Sequence, residues 1–142
     1  DFKYFHVLGN HEYMNFNRTF LLKSFLNSAN DKDRLYYSFT PYGGFRFIAL
    51  DSMEISVLGH TNLTDPGYIQ AKDILKIQNP NGDWNSIDGM EGTNTRFVKG
   101  NGMLTETQLS WLNETLHTAT QNNEIVMIFS HHIIHPDAGD KR

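Results

Sequence analysis

Four short runs of apolar and β-branched residues alternate with polar segments along the chain. They cover residues 5–8, 35–40, 45–50 and 124–129. The two middle runs are separated by Pro41-Tyr42-Gly43-Gly44, which is typical of a β-hairpin. The first and last runs each stop at polar residues, which is typical of buried strands that deliver side chains to one edge of a sheet.

Apolar residues at helical spacing predict helices between these strands. One covers residues 18–28 with Asn17 as its N-cap, and another covers residues 69–77. A third follows Thr105, which forms a capping box with Gln108. Its predicted sheet-facing side chains are Leu109, Leu112 and Leu116. Strands alternating with helices indicate an α/β fold.

The stretch from residue 54 to residue 101 has a different character. It holds six of the eleven glycines and only one segment with helical spacing. A weakly structured segment of this length inside a compact domain is typical of a binding loop or lid, or of disorder. Substrate-binding residues stay unassigned; Trp84, Arg96 and Phe97 are candidates, although each also fits local packing or surface charge.

Composition narrows the possible partners. A net charge of −4 offers no basic surface, so we expect no nucleic-acid partner, whereas a small phosphate ester remains possible if cations accompany it. The chain has no cysteine, which suits a reducing compartment, and no apolar run approaches the length of a membrane span. We therefore expect a cytoplasmic protein without a membrane partner, and no protein partner is indicated.

The clearest candidate chemistry is Gly9-Asn10-His11-Glu12, directly after the first apolar run. Gly9 lets the chain turn beside bound chemistry, where a side chain would obstruct the approach. Asn10 can offer a neutral oxygen to a hard cation, and His11 can move a proton near neutral pH. Both are tools of metal-assisted phosphate chemistry. The competing interpretation is an ordinary Gly-Asn turn followed by a solvated histidine.

Histidine also follows the last strand. His131 comes first and is the favoured ligand, whereas His132 and His135 are interpreted as residues of a surface loop that stops at Pro136. Asp51 likewise ends a strand, but we interpret it as a helix or turn cap beside Ser52 and leave it out of the metal set. Two strands that each deliver metal-competent groups favour a converging site.

With these motifs the sequence resembles the calcineurin-like metallophosphoesterases, which share Gly-Asn-His-Asp/Glu and a histidine at a strand end. It is most similar to the manganese-dependent ADP-ribose/CDP-alcohol diphosphatases. That resemblance rests on residues 45–51, 56–59, 101–104 with 108–112, and 130–131 with 135–136. It implies a two-sheet sandwich flanked by helices and hydrolysis of the diphosphate bond in ADP-ribose or in CDP-alcohols such as CDP-choline. Two divalent ions are implied, with Mn²⁺ expected and Mg²⁺, Fe or Zn as alternatives.

The resemblance also implies roles for individual residues. Asn10 and His131 bind metal, His11 is catalytic, Glu12 orients a neighbour or begins a helix, and residues 54–101 form a substrate-side insert. The family's Asp-x-His/Gln, Gly-Asp-x-x-Asp and Gly-His-x-His motifs do not occur in the sequence. We therefore expect residues 1–142 to be a central fragment of one domain that is inactive alone.

Two other functions stay open from the sequence. The chain could belong to another calcineurin-like phosphodiesterase, or to a non-catalytic scaffold with the phosphoesterase fold. The presence of Asn10, His11 and His131 together argues against the scaffold, because a scaffold does not require these metal-facing side chains.

Overall fold

The computed structural model describes residues 3–135. Its helices are α1 (Asn10–Asn15), α2 (Arg18–Lys23), α3 (Pro66–Gln78) and α4 (Glu106–Gln121), and its strands are β1 (Tyr37–Phe39), β2 (Phe45–Ala49) and β3 (Ile125–Phe129). A 3₁₀ turn covers Gly92–Arg96. The strands form one sheet in the order β1-β2-β3, so the predicted α/β class is confirmed. Within residues 3–135, no helix has the length and apolarity needed to cross a membrane.

The sheet brings the ends of two strands to the same edge. β1 and β2 form the predicted antiparallel hairpin, and β2 runs parallel to β3 with Ala49 opposite Phe129. The Leu50 amide continues the pairing by donating to the Phe129 carbonyl at 2.9 Å. Because the parallel strands end in register, the residues after β2 lie beside those after β3.

The strand predicted over residues 5–8 is wrong, and so is the buried character predicted for β3. Residues 3–9 pair with no strand in the part of the chain that is described. Side chains bond the backbone of His6 instead of a neighbouring strand. The Ser28 hydroxyl accepts a hydrogen bond from the His6 amide, and the Tyr37 hydroxyl donates one to the His6 carbonyl. The large apolar side chains of β3 are about half exposed, which is the position of an edge strand.

Helix α2 begins as predicted but ends at Lys23 rather than at residue 28. The Asn17 side chain accepts from the Phe20 amide at 2.8 Å, which confirms the N-cap. At the other end the Ser24 hydroxyl donates to the Leu21 carbonyl and accepts from the Leu26 amide. Serine that bonds its own backbone in this way competes with helix continuation.

Helix α4 has the predicted cap but a different buried face. Thr105 Oγ1 accepts from the Gln108 amide at 3.1 Å. The Gln108 side chain does not return to Thr105, because it bonds both backbone groups of Asp51, and Glu54 accepts from the Thr105 amide instead. Gln108 and Ala119 are buried, whereas Leu109 is 41% exposed, so the predicted leucine face is wrong at that position.

Residues 54–101 form an insert whose two ends are joined by a bridge, and it is more ordered than the sequence predicts. An antiparallel bridge between Ile55 and Met103 joins its base. Helix α3 occupies residues 66–78, longer than the predicted 69–77, because Asp65 caps its start and Pro66 fits the first helical position. Inside the insert the buried Asn79 side chain donates to the carbonyls of Ser86 and Phe97. Hydrogen bonds from this asparagine side chain to backbone carbonyls therefore hold the segment together, because it has few apolar side chains to pack.

Candidate metal centre

The Gly-Asn-His-Glu segment starts helix α1. Gly9 is the N-cap, and its amide donates to Glu12 Oε2 at 2.8 Å. The carboxylate of Glu12 thus satisfies a donor that the helix leaves free, as the prediction that Glu12 begins a helix requires. Asn10 takes the first helical position and His11 the second, where the His11 side chain is exposed.

The structure brings Asn10 and His131 together from opposite ends of the chain. His131 Nε2 lies 3.1 Å from Asn10 Oδ1, although 121 residues separate them in sequence. Helix α1 supplies the amide oxygen, and the end of β3 supplies the imidazole. In this contact the Asn10 amide oxygen accepts a hydrogen bond from His131 Nε2. In the tautomer with its proton on Nδ1, the imidazole would instead offer a lone pair on Nε2, and both atoms would then suit a divalent cation.

Gly9 makes this approach possible. A Cβ at position 9 would lie 2.5 Å from His131 Nδ1 and 2.7 Å from His131 Cγ. Any side chain there would displace the ring that reaches Asn10. The structure thus shows a close approach of the His131 ring to Gly9, whereas the predicted approach of bound chemistry stays a prediction.

His132 was expected in a surface loop, but it is half-buried in the site. Its Nδ1 lies 2.8 Å from Ser52 Oγ, and its ring meets the His131 ring edge to face with centroids 4.9 Å apart. His132 Nε2 is buried and has no hydrogen-bond partner in residues 3–135. Burial, and next the neighbouring His131, lowers the pKa of His132. The expectation failed because the parallel register of β2 and β3 places Ser52 beside this imidazole.

Asp51 has a structural role that fits the predicted turn cap, and its exclusion from the metal set stays a prediction. Its Oδ1 accepts from the Tyr13 hydroxyl and the Met53 amide, and its Oδ2 pairs with Arg18 at 2.6 Å. Burial, and then the Asp51 carboxylate, raises the pKa of Tyr13. Burial is the largest single effect on Arg18 and opposes its charge, but the combined effects of its neighbours, led by the attraction of Asp51, outweigh burial and raise the pKa of Arg18. This network anchors α1 and α2 to the end of β2.

The donors present fit a divalent cation as part of a larger set. Two ligands at right angles, each roughly 2.1 Å from an ion, stand about 3.0 Å apart, close to the 3.1 Å between Asn10 Oδ1 and His131 Nε2. Among residues 3–135, no three His, Asp or Glu side chains converge on one point. The described residues therefore offer two side chains, those of Asn10 and His131, that could bind one ion within a larger ligand set.

The other residues singled out from the sequence either lie apart from Asn10 and His131 or fall outside the described residues. His135 is exposed, and Pro136 lies outside the described residues. Arg96 lies over the ring of Phe97 with its guanidinium carbon 5.4 Å from the centroid, and the Trp84 carbonyl accepts from the Lys99 amide. Gly100 was not singled out from the sequence, yet a Cβ there would lie 3.6 Å from Asn10 Nδ2. Its position at the end of the glycine-rich segment was the available signal.

Comparison with known proteins supports the motif-based resemblance. No family model matches the chain. Over 148 residues the chain is 40% identical to the manganese-dependent ADP-ribose/CDP-alcohol diphosphatase of Homo sapiens, covering 95% of this chain and 42% of the relative. The protein of the same name from Oryza sativa subsp. japonica is 40% identical over 127 residues, which is 89% of this chain and 39% of that protein.

A solved structure agrees with these relatives. A dimetal phosphatase from Danio rerio superposes with a TM-score of 0.86 at 40% identity, over 93% of this chain and 44% of that chain. The chain spans about two-fifths of the length of the curated relatives it matches. The resemblance inferred from the motifs is confirmed.

Proposed function

We propose, from the relationship of this chain to the manganese-dependent ADP-ribose/CDP-alcohol diphosphatases, that the protein hydrolyses the diphosphate bond of nucleoside-diphosphate-linked compounds. ADP-ribose and CDP-alcohols such as CDP-choline are the proposed substrates. The observation that carries the proposal is the 3.1 Å approach of His131 Nε2 to Asn10 Oδ1, in a chain 40% identical to these enzymes.

The proposed setting is a larger domain. Residues 1–142 form the central part of one metallophosphoesterase domain, in which a two-sheet sandwich is flanked by helices. The exposed apolar side chains of edge strand β3 suit a position inside a wider sheet. Residues 54–101 are the substrate-side insert, and their last residues lie against Asn10.

The proposed centre uses two divalent cations, with Mn²⁺ first, and Asn10 and His131 hold one of them. Such cations, when bound, neutralise the diphosphate and lower the pKa of the attacking water. Gly9 leaves room for the His131 ring, and Glu12 holds the start of helix α1 so that Asn10 keeps its position.

His11 has a different role in the proposal. Its exposed side chain follows Asn10 on helix α1, so it can approach a phosphate group from solvent. There it stabilises the charge that develops on the leaving oxygen or gives that oxygen a proton. General acid catalysis of this kind contributes about 10²–10⁴-fold to a rate.

The test compares two histidine variants of the full-length protein. We expect Mn²⁺-dependent release of AMP from ADP-ribose and of CMP from CDP-choline by the unmodified protein. His11→Ala should lower kcat by about 10²-fold or more while elemental analysis finds nearly full metal content. His131→Ala should lose metal as well as activity, because it removes a ligand.

His117→Ala is the matched control, because His117 lies on the exposed side of α4 and contacts Gln121. It should leave both activity and metal content unchanged. Equal metal content in the His11 and His131 variants would reject the assigned roles. Cleavage of other phosphodiesters without ADP-ribose or CDP-choline would indicate another branch of the superfamily, and metal-replete protein without any hydrolysis would indicate a scaffold.

A further inference from the structure

An open groove of about 670 Å³ lies beside the candidate metal centre. One wall is formed by the end of α1 and the residues that follow it, 13–17. Residues 57–61 form a second wall, and Asn85, Lys99 and Gly100 of the insert form a third. A volume of several hundred Å³ is in the range that holds a small organic ligand.

Gly100 lies between the groove and the candidate metal centre. This residue lines the groove, and a Cβ built on it would lie 3.6 Å from Asn10 Nδ2. Tyr13, one helical turn after Asn10, lines the same groove. A substrate whose phosphate lies at Asn10 could therefore extend its remaining part along this surface.

The side chains of the groove suit the far end of a nucleotide. Lys99 brings an exposed cation into a protein of net charge −4, and its amide is held by the Trp84 carbonyl at 2.9 Å. Phe16 is 42% exposed and stacks on Phe20 with centroids 4.9 Å apart, so one face of an aromatic platform stays accessible. A cation for phosphate beside an aromatic face for a base is a common means of holding nucleotides.

A buried histidine, His60, forms part of the second wall of the groove. The side chain of His60 is 3% exposed, and its Nδ1 lies 3.3 Å from Asp65 Oδ1. His60 Nε2 has no hydrogen-bond partner within residues 3–135. An unpaired buried nitrogen is costly, but neighbouring atoms cover Nε2, so His60 belongs to the wall and is not a proposed contact of the ligand.

We propose that this groove binds the nucleoside end of the nucleoside-diphosphate substrate, with Lys99 pairing with the phosphate farther from the metals and Phe16 packing on the base. The inference rests on the proposed diphosphatase function and adds the part of the surface that selects the substrate. It differs from the sequence-based candidates Trp84, Arg96 and Phe97, because the insert meets the groove through Asn85, Lys99 and Gly100.

The test measures KM for two kinds of substrate in the full-length protein. Lys99→Ala should raise KM for ADP-ribose and CDP-choline by about threefold to tenfold, the effect of losing one partly exposed charged pair. KM for bis(p-nitrophenyl) phosphate, which has no nucleoside, should stay unchanged, as should kcat and Mn²⁺ content. Lys76→Ala is the control, because Lys76 belongs to the same insert, is 55% exposed and pairs with Asp73.

Phe16→Ala provides an independent second variant, with Phe25→Ala as its control because Phe25 is 86% exposed and does not line the groove. Thermal unfolding of each variant detects any loss of folding. The proposal would be overturned if the ratio of KM for ADP-ribose to KM for bis(p-nitrophenyl) phosphate stayed unchanged in both the Lys99 and Phe16 variants. It would also be overturned if KM rose equally for the two substrates.

Calorimetric binding of ADP-ribose without Mn²⁺ separates this inference from the proposed function. Binding that weakens in Lys99→Ala, in a protein that does not hydrolyse ADP-ribose, would uphold the groove and reject the diphosphatase. Hydrolysis of ADP-ribose by the unmodified protein, with unaltered binding in both variants, would uphold the diphosphatase and reject the groove. Absence of both binding and hydrolysis would overturn both.

Discussion

Gly9→Ala should weaken metal binding without unfolding the protein. The added methyl group would lie 2.5 Å from Nδ1, 2.6 Å from Cε1 and 2.7 Å from Cγ of His131. Carbon atoms in ordinary contact are about 3.5–4.0 Å apart. The imidazole must therefore withdraw by about 1 Å, a distance we infer from that same spacing.

A displacement of that size matters because the site depends on a short distance. His131 Nε2 and Asn10 Oδ1 now stand 3.1 Å apart, which suits two ligands of one ion. Changes that disturb a ligand without removing it cost about 10–100-fold in metal affinity. This corresponds to about 1.4–2.7 kcal/mol of binding free energy.

The same change should affect stability little. Gly9 has φ −124° and ψ −177°, an extended conformation open to alanine, so no backbone strain arises. Alanine reduces the entropy of the unfolded chain, worth about 0.4–1 kcal/mol, but is a poorer N-cap than glycine. The two effects oppose each other, and the exposed His131 ring can move toward solvent.

Mn²⁺ titration by calorimetry on the full-length protein, with urea unfolding in parallel, tests this reasoning. Gly43→Ala is the matched control, since a Cβ there meets nothing within 4 Å. Gly9→Ala should raise the Mn²⁺ dissociation constant by about 10–100-fold, whereas Gly43→Ala should not change it. Unaltered affinity in Gly9→Ala would refute the idea that glycine is required for the approach of His131.

Two further predictions concern groups away from the metal ligands. Asp51→Ala should lower the free energy of unfolding in urea by about 3 kcal/mol, because it removes the nearer carboxylate partner of Arg18 and the acceptor of the Tyr13 hydroxyl. The other carboxylate near Arg18, that of Glu54, lies 3.8 Å away. Asp73→Ala at an exposed pair should cost under about 0.5 kcal/mol, and similar values for the two variants would argue against the network. Burial is the main effect that lowers the pKa of His60 from 6.5. The unfolded chain therefore binds more protons in acid than the folded protein does. The stability that neutral His60 contributes is lost as the pH falls through about 6.5. His60→Gln should therefore flatten the decline of Tm between about pH 7.5 and 5.5, and an unchanged decline would assign it to other groups.

Features set by neighbouring residues could be predicted from the sequence. The Pro-Tyr-Gly-Gly hairpin forms because its turn and strand preferences agree locally, and the Asn17 and Thr105 caps bond amides three residues away. The Gly-Asn-His-Glu motif and the histidine after the last strand were also readable, because each needs only a short pattern. Their confirmed resemblance identified the related enzymes.

Features that depend on distant partners were mispredicted. Residues 5–8 have the composition of a strand, yet their backbone groups bond Ser28 and Tyr37 instead of a neighbouring strand. The face of α4 that is buried follows from Gln108, whose amide bonds the backbone of Asp51. Helical spacing identifies an apolar stripe but does not reveal that a glutamine will anchor the helix.

The sequence by itself determined which chemistry the chain can supply: an amide oxygen at Asn10, imidazoles at His11 and His131, and a glycine where a side chain would obstruct. Tertiary structure alone decided which of these meet. The parallel register of β2 and β3 places Ser52 beside His132, and Gly9 admits the His131 ring to within reach of Asn10. Hydrophobic period and capping pattern act over a few residues, whereas register and close approach are set by packing between segments far apart in the chain.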